Sequence, residues 1–250
     1  ADRRQRQMCI RDSPYIEGLE VDVGYWRIEY EDKIYWVGGQ FVLDNLPVEN
    51  PYVERAPQTP EEAAAGIPGQ ILSVQFTTQN LAEQFTDGWD VDITYQRQTD
   101  GGNEFGLRLD YTYTARWDAI LPEDFGYTVY SEAGGYWDGP VPRNRGNLNL
   151  SWRTGQHDFN GTIHYAGHYR NWLEFLPVDG EESDIPFIVN SFTTLDLQYA
   201  LHLDIWEEAV LRVGCRNCTE EDPPFTHDTW VESIHDWRGL IWYANWTQTF

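Results

Sequence analysis

The chain has 250 residues, of which 41% are hydrophobic and 15% aromatic, and its mean hydropathy is -0.58. Acidic residues outnumber basic ones 41 to 17, and a formal charge of -24 repels a polyphosphate backbone, so polynucleotide binding is set aside. No run of about eighteen apolar residues occurs, which excludes helical membrane spans but not a β-barrel, whose strands need apolar residues only at alternate positions.

Residues 1–14 are basic, polar and unpatterned, and they lack the apolar core of a secretory signal. A foreign origin is one reading of this segment, and residues 15–250 then form one patterned domain. From Glu17 to Tyr30 the residues Val21, Val23 and Tyr25 alternate with Asp22 and Gly24, which predicts a strand. Ile34 to Leu43 reads as another short strand. Asp44 to Gly69 carries Pro47, Pro51, Pro57, Pro60 and Pro68 and reads as loop, with a helical turn or two over Pro60 to Ala65. Ile71 to Thr78 alternates weakly, as a loop strand. Glu31 to Phe85 is therefore expected to be one long excursion, a length that points to a functional loop.

The strongest pattern follows. Trp89, Val91, Ile93 and Tyr95 alternate with Asp90, Asp92, Thr94 and Gln96. After the turn at Thr99 to Gly102, Phe105, Leu107, Leu109, Tyr111, Tyr113 and Trp117 alternate with Gly106, Arg108, Asp110, Thr112, Thr114 and Arg116. A period of two is the mark of a strand, and two strands joined by a Gly-containing turn form an antiparallel hairpin. The second strand is on the order of 40 Å long at ~3.4 Å per residue. Soluble domains usually use strands of about five or six residues, whereas a membrane-spanning strand needs roughly nine to eleven.

Asp118 to Arg143 reads as a long loop with the aromatics Phe125, Tyr127, Tyr130, Tyr136 and Trp137. Leu148, Leu150 and Trp152 define the next strand, and after Gly155 a partner carries Phe159, Ile163, Tyr165 and Tyr169. Asn171 to Asn190 is an acidic loop with Glu181, Glu182 and Asp184. Leu195 to Leu203 and Ala209 to Val213 are strands joined by a short turn; Asn217 to Arg238 is a fourth long loop. The last strand runs from Leu240 to Phe250, with Trp242, Ala244 and Trp246 on one face. Short turns therefore alternate with long connections, the rhythm of an outer-membrane barrel.

No residues form a recognisable enzyme constellation. Glu181, Glu182 and Asp184 suit a solvated loop better than an acid–base pair. His164 and His168 lie roughly 13 Å apart along a strand, too far to share a metal. Cys215 and Cys218 form a lone C-x-x-C at a strand end, without the second ligand pair that zinc requires, and read as a local disulfide or two unpaired thiols. No catalytic residue, metal or cofactor is expected. Tyr136, Trp137, Trp172, Phe175, Phe225 and Trp230 sit on long loops where flat rings stack on sugars, chelates or other rings, and they are the candidate ligand contacts. Trp26, Trp117, Tyr169, Trp242 and Trp246 fit anchoring at the membrane interface.

Several segments share an order with a known family: Thr86 to Asp92 opening a strand, Asn144 to Leu148 before another, and Ser191 to Tyr199. Val213 to Asn217, Asp222 to Phe225, His235 to Gly239 and a terminal Phe250 continue it. From about Tyr15 to Phe250 the chain resembles the C-terminal part of the barrel of TonB-dependent outer-membrane receptors. The resemblance implies an all-β, antiparallel transmembrane barrel fragment, about eight long strands of a 22-stranded wall, with long extracellular loops. It implies active import of a bulky solute such as a siderophore, cobalamin or oligosaccharide across the bacterial outer membrane. The partners it implies are the barrel-insertion machinery, outer-membrane lipid and an inner-membrane energy-coupling protein, the last acting through an N-terminal plug domain that the chain lacks. Asp90, Asp92, Arg108, Asp110, Arg116, Arg153, Asp196, Arg212 and Arg238 would then face the lumen or the plug, and Trp246 and Phe250 would belong to the insertion signal. The chain departs from the family at Cys218 and Thr219, where an apolar-aromatic pair is common, and at Gln248, where an apolar residue precedes the final Phe. A soluble carbohydrate-binding module and a passive porin-like channel are the alternatives.

Overall fold

The computed structural model describes residues 16–37, 39–45, 47–75, 77–120, 130–131, 133–134, 141–170, 188–204, 208–226 and 234–249. In chain order these form β1 (Leu19–Val37), α1 (Gly39–Asn45), β2 (Val53–Arg55), α2 (Pro60–Ala65), β3 (Ile71–Val74), β4 (Thr77–Gln98) and β5 (Asn103–Ile120). There follow β6 (Tyr130–Ser131), β7 (Asn144–Thr154), β8 (His157–Ala166), β9 (Tyr169–Arg170), β10 (Ile188–Val189), β11 (Phe192–Leu203), β12 (Glu208–Arg216) and β13 (Ile241–Thr249). The main sheet is an antiparallel meander in the order β1-β4-β5-β7-β8-β11-β12-β13, with β6 added to β5. Every neighbour on that path is the next long strand in the chain, and β1 and β13 stand at its two ends.

Contacts divide the chain into two compact units, each described by itself. One holds residues 28–85 and 118–130. Its irregular part is built on a small hairpin in which Val53 faces Val74 and Glu54 faces Ser73. Between these strands, α2 begins with Pro60 at its first turn and a reciprocal cap: the Thr59 hydroxyl accepts from the Glu62 N–H and the Glu62 carboxylate from the Thr59 N–H.

The other unit holds residues 16–27, 86–117 and the described part of 131–250. Register sets its side chains in rows. Phe105, Trp152, Phe159 and Tyr199 face one another across β5, β7, β8 and β11, and their ring centroids lie 6.2, 5.1 and 5.1 Å apart. The next rows are aliphatic: Leu107, Leu150, Gly161 and Leu197, then Leu109, Leu148, Ile163 and Leu195. Above them Tyr111 and Tyr165 flank Gly146. The same face is thus ring, aliphatic, aliphatic, ring, and its aliphatic side chains are open, with Leu150 48% and Leu197 45% exposed. The opposite face carries Glu104, Arg153 and Asp158 in one row and Arg108, Asn149, Thr162, Asp196 and Arg216 in another, the last placed by the pairing of Leu197 with Cys215. Neither face is a dry centre.

Three expectations need correction. Ile34 to Leu43 is not one short strand: Ile34 to Val37 end β1, and Gly39–Asn45 is a helix that buries Val42 completely. Short apolar runs do not distinguish a strand from a helical turn. The excursion from Glu31 to Phe85 is shorter than predicted, because β1 continues to Val37 and β4 already begins at Thr77. The alternation of β4 is interrupted at Gly88, where Thr86, Asp87 and Gly88 are buried in succession. Odd-numbered Asp87 meets Arg116, whereas downstream even-numbered Asp90 accepts from Thr112 on the same partner strand. Gly88 is required there, since a Cβ would lie 2.3 Å from the Tyr113 carbonyl oxygen and 2.5 Å from the Trp26 ring. Third, Tyr169 is no membrane anchor: it is fully buried and stacked on His235.

Candidate functional site

Two ends of the sheet are distinguished by their connections. The turns at 99–102 and 155–156 are short; β7 passes to β8 through two residues, the first of which, Gly155, takes a φ of 56°. At the other end the chain makes its long connections. On the polar face near the short turns, charges are matched: Arg153 pairs with Asp158 at 2.8 Å and Glu104 at 3.4 Å, and His202 reaches Asp158 at 2.8 Å. Farther along, Arg108 clasps Asp110 on its own strand at 2.9 Å, with Asp92 beside them. Arg116 closes on Asp87 at 2.6 Å, and the Tyr25 hydroxyl donates to the same carboxylate at 3.2 Å.

At the loop end the polar face forms a pocket of about 430 Å³. β7 supplies Arg145 and Asn147, β8 His164, β11 Thr194 and Asp196, and β12 Arg216; the connection after β12 adds Asn217, Ile234 and Asp236. Period-two placement explains the wall, because Arg145 and Asn147 are both odd-numbered residues of one strand face. The rest depends on how the connection leaves the sheet. Asn217 takes a φ of 47°, a left-handed conformation that asparagine tolerates. It is buried, its side chain donates to the Glu221 carbonyl at 2.8 Å and accepts from the Glu221 N–H at 3.0 Å, and its own N–H donates to Asp196 at 2.9 Å. Cys215 and Cys218 are joined by a disulfide across this turn.

Beside the pocket, His235 is 2% exposed, and its Nε2 lies 3.1 Å from the Tyr169 hydroxyl, with Phe192 edge-on to the ring. Burial, aided by the Arg145 charge, pushes the His235 pKa down, so the ring is held neutral. The next residue, Asp236, behaves oppositely. Arg238 grips its carboxylate at 2.7 and 2.9 Å and donates its backbone N–H at 3.0 Å, which brings the Asp236 pKa down to about 2.

The predicted residues distribute as follows. Asp90, Arg108, Asp110, Arg153, Asp196 and Arg212 lie on the polar face, and of these Asp196 alone lines the loop-end pocket. Arg238 is not on a wall strand but in the connection before β13, tied to Asp236. Trp246 lies on the apolar face opposite Leu211, half exposed, and Trp242 is 73% exposed. Of the loop aromatics, Phe225 is 71% exposed; Tyr136, Trp137, Trp172, Phe175 and Trp230 fall outside the described residues, as does Phe250. Arg145, Arg216, Asn217, His235 and Asp236 were not singled out from their residue types. The available signal was that their segments, distant in the chain, all belong to the shared order quoted above.

The meander and the pocket can be set beside known proteins. None of the curated proteins matches the chain. Among solved structures, the ferripyoverdine receptor of the outer membrane of Pseudomonas aeruginosa, bound to ferripyoverdine, aligns with a TM-score of 0.53 at 11% identity. The alignment covers 97% of this chain and 26% of that one, so the chain spans about a quarter of that receptor's length, and at this identity the likeness concerns the fold alone. Residues 14–218 match the family described as TonB dependent receptor-like, beta-barrel; the chain belongs to this family, and its strands are part of an outer-membrane barrel wall.

Proposed function

We propose that the chain is part of the wall of a receptor that carries a bulky solute across the outer membrane. Members of its family are transport receptors, not enzymes. One observation carries the reading: open aliphatic rows lie between rows of rings on one face, while hydrogen-bonded charges occupy the other. A leucine moved from water into an apolar medium gains about 1.5–3 kcal/mol, so such rows favour contact with lipid, and rings at their borders suit headgroup level. By the same logic the charged face lines the interior, and the short turns lie on the periplasmic side. The exposure of Leu150 and Leu197 speaks against a soluble carbohydrate-binding module.

In this reading the polar wall holds the plug through groups such as Arg108, Asp110 and Arg116, and the long connections collect the solute from outside. Siderophores, cobalamin and oligosaccharides are the candidate cargo. Energy arrives from an inner-membrane protein acting on the plug, and the barrel-insertion machinery assembles the wall, with Trp246 and Phe250 in its recognition segment. No covalent step is involved. The test is to express the whole gene and follow the protein and solute uptake. The expected result is outer-membrane fractionation, extraction only with detergent, and uptake that stops when the inner-membrane proton gradient is collapsed. Uptake that persists without the gradient would replace this reading with a passive channel.

A further inference from the structure

The loop-end pocket combines two kinds of charge in different states. Its carboxylates are already engaged: Asp236 by Arg238 at 2.7 Å, and Asp196 by the Asn217 N–H at 2.9 Å and by His164 at 3.3 Å. Its guanidinium groups are not. Among the described residues, neither the Arg145 nor the Arg216 guanidinium donates a hydrogen bond or closes an ion pair, though both side chains are exposed and line the cavity. Arg145 acts on its protein neighbours only through its field at His235, and Arg216 through its field at Asp236.

We propose that Arg145 and Arg216 bind the oxyanions of a solute that carries at least two carboxylate or phosphate groups. This names the cargo class of the transport reading and rests on it for its biological meaning. The register supports a ligand with two anionic ends. Arg145 is level with Phe192 on β11 and Arg216 with Asp196, so the two lie on strands three steps apart and differ by four residues in height. Their Cα atoms are therefore roughly 20 Å apart, with arms of several ångströms reaching inward. A planar guanidinium takes a carboxylate or a phosphate through two parallel N–H donors, and binding improves when the donors have no competing partner. The chain's overall charge of -24 does not override this, because exposed charges beyond about 8–10 Å are screened at physiological salt.

The test uses the receptor expressed from its whole gene and purified in non-ionic detergent. Isothermal titration at about 0.15 M ionic strength, where the chain's distant charges are screened, compares suberate, a flexible dicarboxylate, with acetate and with inorganic phosphate. Saturable suberate binding, stronger than acetate binding and weakened at least tenfold by Arg145→Gln and by Arg216→Gln, is the expected result. Arg145→Lys keeps part of the affinity, and Arg97→Gln, exposed beside the short turn at 99–102, leaves it unchanged. Phosphate competing with suberate marks a general oxyanion site; phosphate failing to compete marks a carboxylate site, and both agree with the proposal. Absence of saturable binding, or binding indifferent to both glutamine variants, overturns it. Absence of suberate binding with gradient-driven uptake intact removes this inference alone, whereas suberate binding by a receptor whose uptake persists without the gradient removes the transport reading.

Discussion

On the apolar face, register alone chooses each residue's neighbours: Leu107 meets Leu150, and Leu109 meets Leu148, because they share a level of the ladder. On the polar face, partners are chosen by reach and charge. Arg108 turns to Asp110 two residues along its own strand, and His164 spans from Asn147 on β7 to Asp196 on β11. The first face is interchangeable in its parts, since any aliphatic side chain satisfies lipid. The second is specific, since removing one member leaves another without a partner. The apolar face thus tolerates exchange of its parts, and the polar face does not.

The largest test of that contrast places one substitution on adjacent residues. Leu150→Arg puts a charge on the aliphatic rows and is expected to cost about 2–4 kcal/mol, read by urea unfolding in lipid vesicles. Ser151→Arg, one residue on and facing the other way, stays within about 0.5 kcal/mol. Equal losses would break the contrast. A smaller effect is expected at Arg116→Met. Asp87 has a side chain only 7% exposed and loses its cation, but the Tyr25 hydroxyl still donates to it. The cost is about 2 kcal/mol, below that of fully uncovering a buried ion pair. A loss under about 0.5 kcal/mol in the same unfolding assay would show that the site is already wet.

A more modest effect belongs to His235. Its folded pKa lies below its ordinary value of about 6.5, so the unfolded chain takes up the proton first as the pH falls. Its contribution is held above that value and is lost as the pH drops toward the lower folded one. Thermal unfolding between pH 7.5 and 5.5 should therefore show a decline that His235→Gln abolishes. The smallest change is expected at Arg153→Met, where exposed pairs with Asp158 and Glu104 are worth less than about 1 kcal/mol together, and double-mutant cycles would measure it.

Much of this contrast can be read in the chain itself. The strands β5, β7, β8 and β11 follow from period two, because each has an aliphatic face and a polar one with few interruptions. The start of β4 does not, since Thr86, Asp87 and Gly88 are buried in succession and leave no period-two pattern there. Tyr169 carries the pattern of an interface ring, yet its partner His235 lies in a connection 66 residues away, and no local rule brings them together. The pocket escapes for a similar reason: Arg145, Asp196, Arg216 and Asp236 are ordinary surface residues singly, and acquire meaning only when four segments converge. Composition pointed the other way, because a chain so acidic does not advertise two idle cations.

The bond between Cys215 and Cys218 spans so few residues that it restrains little of the unfolded chain. Its consequence lies in time and place. Cytosolic thiols are kept reduced, while the periplasm oxidises them, so each copy carries a chemical record of whether it has crossed the inner membrane. Molecules waiting for export will take up alkylating reagent at both sulfurs, and those seated in the outer membrane at neither.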